Sequence, residues 1–276
     1  MCAETCMHGA VEGKRRREST QGLTYSNQYG AESDWSPQAW MIINRPPEGQ
    51  LYFETPIYEH DTPLFRVAAT DPDLDPLSVV VESSYEGGGF EIIQQWSGLP
   101  SGSDRAFTYG PLPEGSYTLR LTVSDGRGGV DTQTYSFEAL PLELTGEVTH
   151  TPEWEAYRLA WNAKHADAER TPDVFWAGEA FVLGARVTDT GVGRTKALRV
   201  TSLLMETGEA AVLAPAGGVR YAGELVNTEH HRMLPDGSTC VFRFKVEWSN
   251  GYVQTHDVPV RVRESMYEVI VQQNRH

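Results

Sequence analysis

Four aspartates carry the best prospect of chemistry in this chain. Asp71, Asp73 and Asp75 alternate through the turn Asp71-Pro72-Asp73-Leu74-Asp75-Pro76, and Asp125 opens a second turn, Asp125-Gly126-Arg127-Gly128-Gly129. Carboxylates gathered at one place repel unless a cation lies among them, and hard oxygen ligands suit Ca²⁺. The plain turn reading competes with it, because Asp-Pro and Asp-Gly are good turn formers whose charge water solvates. A calcium loop of the helix–loop–helix kind is excluded. Asp71, Asp73, Asp75 and Glu82 match its ligand spacing, yet Pro76 stands where that loop needs glycine. Leu77–Val81 also reads as a strand, which at ~3.3 Å per residue carries Glu82 ~23 Å from Asp75.

A second set is aromatic. Trp154, Tyr157, Trp161, Phe175 and Trp176 lie close together in sequence, and planar rings stack on sugar faces when they point outward. Trp154, Tyr157, Trp161 and Trp176 are therefore candidates for a glycan platform; turned inward, they are core. Catalytic motifs are missing: His150, His165, His230, His231 and His256 are scattered, and no G-x-S-x-G, H-E-x-x-H or phosphate loop occurs. Gly87-Gly88-Gly89 opens no helix and reads as a hairpin loop. A glycosidase carboxylate pair is defined by separation in space, so an enzyme with an undisclosed acidic site stays open as an alternative. The expectation is a chain without catalytic residues. Cys2, Cys6 and Cys240 are an odd set that makes neither a disulfide framework nor a zinc site.

The elements that must position these residues follow from composition and periodicity. The chain has 276 residues, with Lys+Arg 23 against Asp+Glu 38 and a net charge of −15. That balance argues against a nucleic-acid partner, since phosphate binding needs a basic face. Hydrophobic residues at 39% and aromatics at 10% are enough for real cores. No apolar run is long enough for a transmembrane helix. The length suggests two domains.

From Leu51 onward short strands alternate with turn signals, which predicts an all-β fold. Expected strands are Leu51–Ile57, Leu64–Ala69, Leu77–Val81, Phe90–Trp96 and Val130–Phe137, with Tyr117, Leu119, Leu121 and Val123 facing one way on a further strand. Leu112-Pro113-Glu114-Gly115-Ser116-Tyr117 matches the tyrosine corner of Greek-key sandwiches. Leu234-Pro235-Asp236-Gly237 repeats that corner without the tyrosine. A strand with Cys240, Phe242, Phe244, Val246 and Trp248 on one face follows it, and Val258, Val260 and Val262 close the sheet. Two copies of corner, long strand, turn and closing strand mean two tandem Ig-like Greek-key β-sandwiches. The second carries one short helix at about 152–165, capped by Thr151, with Pro152 in the first turn. In that topology the two aspartate turns share a pole, while Glu59 and Asp61 belong to the other.

The expected division is a disordered head at 1–20, a remnant strand and linker at 21–47, sandwiches at 48–139 and 142–264, and a tail at 265–276. The head shows no signal peptide, lacking the apolar run one needs. The remnant strand, running into Asn44-Arg45-Pro46-Pro47, reads as the end of an earlier domain, so the chain is expected to be the C-terminal piece of a longer protein.

The stretch from Glu59 and Asp61 through the Asp71–Leu77 turn to Gly115-Ser116-Tyr117 and Ser124–Gly129 resembles cadherin-like and PKD-like domains, sandwich modules of bacterial cell-surface proteins. In that family glycine usually stands where this chain has Leu74. The second half resembles Ig-like modules of Gram-positive surface proteins at Thr149–Trp154, Phe175–Glu179 and the Leu234–Gly237 corner. The resemblance implies an extracellular, repeated, non-catalytic module used for spacing, adhesion or ligand binding. The expected function is therefore a structural or adhesion module, with the Ca²⁺ that the four aspartates Asp71, Asp73, Asp75 and Asp125 suit by their own chemistry, and a cell-surface protein or polysaccharide as partner. A carbohydrate-binding accessory module of a cell-wall- or polysaccharide-acting protein is the first alternative.

Overall fold

The structure is a computed structural model that describes residues 17–20, 39–167, 169–177, 179–191, 194–225 and 237–265. Cys2, Cys6, His230, His231, most of the Leu234–Gly237 corner, and residues 1–16, 21–38 and 266–276 of the expected head, remnant strand and tail lie outside these residues. At the end of the expected head, Arg17–Thr20 (β1) is a strand. It pairs antiparallel with Ala39–Ile42 (β2), each strand supplying partners for the other's backbone groups.

The chain divides into two compact units. The first comprises 1–57, 63–110 and 115–138, and the second 58–62, 111–114 and 139–276. Both are β-rich, and the described residues are all-β apart from one helix.

The first unit follows the strands Glu48–Tyr52 (β3), Ile57–Tyr58 (β4), Leu64–Thr70 (β5), Leu77–Tyr85 (β6), Glu91–Leu99 (β7), Ser103–Thr108 (β8), Gly115–Ser124 (β9) and Val130–Leu140 (β10). Sheet β3-β5-β8 faces sheet β4-β10-β9-β6-β7. The expected strand Leu51–Ile57 is split in two. Pro56, in a cis peptide after Thr55, cannot donate to a ladder, and the chain changes sheets between β3 and β4. Strand β8 has only Phe107 buried, so alternation does not reveal it. The core comes from period two: Tyr117, Leu119, Leu121 and Val123 of β9 are all buried, opposite Val79 and Val81 of β6. Phe65 and Phe137 fill the space between the sheets.

Tyr117 starts β9 beneath the corner. Its ring stacks on Phe137 at 5.0 Å, and Gly115 takes a φ of +137° that suits glycine. Burial, reinforced by Tyr109 and Tyr85, pushes the Tyr117 phenol up to about 12.

In the second unit Leu144–His150 (β11) leads into helix Pro152–Lys164 (α1). Then come Val174–Ala177 (β12), Phe181–Val187 (β13), Ala197–Leu204 (β14), Ala210–Pro215 (β15), Arg220–Leu225 (β16), Thr239–Trp248 (β17) and Val253–Ser265 (β18). The strand order is β11-β13-β16-β15-β14-β17-β18-β12, antiparallel except for β12 against β18. Strands β15 and β16 share only Ala214 opposite Ala222 and Pro215 opposite Tyr221, a corner where the sheet folds over. Phe181 and Leu183 from one side meet Cys240, Phe242, Phe244 and Val246 from the other in a single core. The Cys240 thiol is buried there, and its pKa is raised by desolvation. Helix α1 starts as its sequence dictates: the Thr151 hydroxyl accepts from the Trp154 N–H, and Glu153 and Glu155 occupy the first turn.

Candidate functional site: an aspartate pole

Two turns of the first unit use the same device. Asp71 Oδ1 accepts the N–H groups of Asp73 at 2.7 Å and Asp75 at 3.1 Å. Asp125 Oδ1 accepts those of Arg127 at 2.7 Å and Gly129 at 3.0 Å. In each loop an aspartate folds the following backbone around its own carboxylate at positions two and four further on, which is why aspartate starts both turns. Leu74, at the tip of the first turn, has a φ of +60°. It adopts the left-handed conformation for which the resembling family uses glycine.

The turns meet at one pole, and cationic side chains bind them together. Arg45 gives Asp73 its backbone N–H at 2.7 Å, its Nε at 3.2 Å and its Nη2 at 2.8 Å, and Nη2 also reaches the Pro72 carbonyl. Arg127, from the second turn, pairs with Asp75 at 3.1 Å in the first. Asn44 donates to Asp125 Oδ2 at 2.6 Å. All four aspartates are buried. Burial raises the Asp125 pKa, but the hydrogen bonds from Asn44 and the Arg127 and Gly129 N–H groups outweigh it and hold the carboxyl below the usual range.

Sequence reasoning finds the four acids and their common pole but misses Asn44, Arg45 and Arg127 as their partners. The available signal is a pair of arginines flanking or inside acidic turns of an acidic chain. Among the described residues, no group of three or more His, Cys, Asp or Glu is arranged to hold a metal ion. Asp71 Oδ2 is buried without a hydrogen-bond partner among the described residues. Glu82 lies on β6 and pairs with Arg120 of the neighbouring strand β9. Glu59 accepts the Leu142 N–H, and Asp61 accepts the Tyr58 N–H.

The aromatic set turns inward. Trp176 is 1% exposed and Trp154 9%, with their rings 5.5 Å apart and Trp161 packed against them. Arg170 lies over both Trp161 and Trp176. Tyr157, 40% exposed, is the outward member, so Trp154, Trp161 and Trp176 form a small core rather than a flat platform of four rings. The reason is local. Trp154 and Trp161 sit a near-whole number of helical turns apart and face β12 together. Among the histidines, His165 stacks on Trp161 and His150 contacts Glu179 in the interior.

Residues 44–138 match the family model of the bacterial Ig domain. Among solved structures, the PKD domain of an M14-like peptidase from Thermoplasmatales archaeon SCGC AB-540-F20 is 19% identical, covering 36% of this chain and 99% of that one, with a TM-score of 0.31. A tetra-tandem repeat from the extending region of a large adhesion protein is 10% identical, covering 90% and 56%, with a TM-score of 0.29. E. coli alpha-2-macroglobulin is 11% identical, covering 91% of this chain and 19% of that one, with a TM-score of 0.31. No curated protein sequence matches the chain. Among the described residues no helix is long and apolar enough to cross a membrane. From Asn44 to Glu138, then, the chain carries a β-sandwich that matches the bacterial Ig domain.

Proposed function

We propose that the chain is a non-catalytic structural or adhesion module of a larger extracellular protein. The observation that carries this reading is the bacterial Ig domain match over residues 44–138. Asn44 and Arg45 enter the first unit directly ahead of β3 and are fastened to both aspartate turns. Tension entering along the chain at that point passes into the loops through charge-assisted hydrogen bonds before it reaches the sheets, as a spacer under load requires. Protease shaving of intact cells that express the native gene tests the placement. Release of peptides from this chain supports an extracellular module, and their recovery only after lysis overturns it.

Calcium at Asp71, Asp73, Asp75 and Asp125 is the second reading, favoured by the unpartnered buried Asp71 Oδ2. The guanidinium groups of Arg45 and Arg127 compete with it, since they already bring positive charge to the pole. Thermal unfolding in EDTA and then in millimolar Ca²⁺ separates the two. A higher Tm in Ca²⁺ that Asp73→Asn abolishes supports a bound cation, and an unchanged Tm supports closure by arginine.

A further inference from the structure

Sheet edges are kept from pairing with other chains by short strands, charged side chains and covered backbone groups, and most edges of the first unit use one of these. Where β3 lies beside β10, Asp131 Oδ2 accepts the Gly49 N–H at 2.9 Å and the Tyr135 hydroxyl accepts the Leu51 N–H at 3.1 Å. The outer strand β4 is two residues long, both buried. The outer strand β8 presents exposed Asp104 and Arg105, and Asp104 pairs with Arg66. Strand β7 is different. It is nine residues long, forms the other edge of the five-stranded sheet and has β6 as its neighbour. After Glu91 it carries neither charge nor proline. Ile92 is 60% exposed, Gln95 is exposed, and Ile93, Gln94 and Trp96 are half-buried. Its register against β6 shifts near both ends, and between the shifts Gln94, Gln95 and Trp96 run regularly opposite Val81, Val80 and Val79.

We propose that β7 is a self-association edge, on which two copies of the chain pair antiparallel about a two-fold axis at Gln95. The strand itself selects a second copy as the occupant. Gln95 is its central residue, so antiparallel pairing there engages all nine positions: Gln94 meets Trp96 of the second copy, Ile93 meets Ser97, and Ile92 meets Gly98. Gln94 and Trp96 stand opposite the buried Val81 and Val79 and so share the core side of the sheet, which lets them meet on one face. The single charge of the strand, Glu91, meets Leu99. No like charges face one another, whereas parallel pairing in register would set Glu91 beside its own copy.

The contact closes on itself. A two-fold interface uses the same edge in both copies, and the other edges of the first unit are blunted, so assembly stops at a dimer instead of running on into a fibre. The two five-stranded sheets become one sheet with a β7 strand from each copy at its centre. The net charge of −15 on each chain opposes association, so the pairing strengthens as salt screens charges more than about 8 Å apart. One strand pair covers little area, which puts the interface at the weak end of the size range.

The test is sedimentation equilibrium of the full chain from micromolar to millimolar concentration, with reductant present to keep Cys2 and Cys6 from cross-linking. The expected result is a mass that rises from 30.7 kDa toward twice that value and no further. Hydrogen-exchange protection over 91–99 rises with concentration in parallel, while protection over 117–124 stays constant. Gln95→Lys and Gln95→Glu each place like charges ~5 Å apart across the axis and should weaken the dimer about tenfold or more. An equimolar mixture of the two variants should restore it, because lysine then faces glutamate. Gln95 is exposed, so neither substitution disturbs the core. A chain that stays at 30.7 kDa at every concentration, a dimer that both substitutions leave intact, or a mixture no tighter than either variant alone overturns the proposal.

Discussion

Removing the Arg45 side chain should cost the first unit about 2 kcal/mol. Asp73 keeps 2% of its side-chain surface in water, whereas the Arg45 side chain keeps 50%. Stripping the partner from a fully buried charge typically costs about 3–5 kcal/mol, and a hydrogen bond to a charged group contributes about 1.5–3 kcal/mol. Two factors reduce the figure. Water screens the exposed half of the guanidinium, and in Arg45→Ala the backbone N–H can still donate to Asp73.

For a unit of this size 1 kcal/mol moves Tm by about 4–8 °C, so Arg45→Ala should lower the first unit's transition by about 8–16 °C. Scanning calorimetry of the full chain is the assay, with the second unit's transition as internal reference. Arg45→Lys keeps the charge without the fork and should recover part of the loss. Arg45→Ala combined with Asp73→Asn should be more stable than Arg45→Ala alone, because no buried charge is left uncompensated. A Tm for Arg45→Ala within about 2 °C of wild type would refute the clamp, since even one charge-assisted bond is larger than that.

Other consequences are as direct. Leu74→Gly should raise Tm by a few degrees: it relieves a left-handed residue at a cost of roughly 1–2 kcal/mol, partly offset by glycine's freedom in the unfolded chain. Gly115→Ala should destabilise the same unit by about 1–3 kcal/mol in urea unfolding. Its Cβ would stand 2.8 Å from Tyr85 and closer still to Glu86 Oε1. Spectrophotometric titration should show one tyrosine, absent from Tyr117→Phe, that ionises only at about pH 12. Its folded pKa lies above the unfolded value near ~10, so the stability it contributes is complete below ~10 and is lost as pH rises toward about 12. Acrylamide should quench Trp154 and Trp176 weakly at neutral pH, and strong quenching of both would contradict their burial.

Strand β9 shows what could be read in advance. Tyr117, Leu119, Leu121 and Val123 alternate with polar residues, and period two is a property of the backbone itself, so the sequence alone determined which face is core. The same holds for Cys240 to Trp248 on β17 and for the Thr151 cap of α1. Leu51–Ile57 and Ser103–Thr108 were harder. The first is divided by a proline that moves the chain between sheets, and the second is an edge strand with one buried side chain, so neither carries a full pattern. The aspartates that build the two turns were also visible, because an Asx turn needs only its own few residues.

Their counter-charges were not, since Arg45 and Asp73 meet across 28 positions and Asn44 and Asp125 across 81. Whether the tryptophans faced a glycan or a core, and whether His150 found Glu179, likewise depended on where β12 packed. Local periodicity and turn chemistry act over a few residues and are written in the sequence. The pairing of charges and the burial of rings belong to surfaces that exist only once distant strands have been brought together.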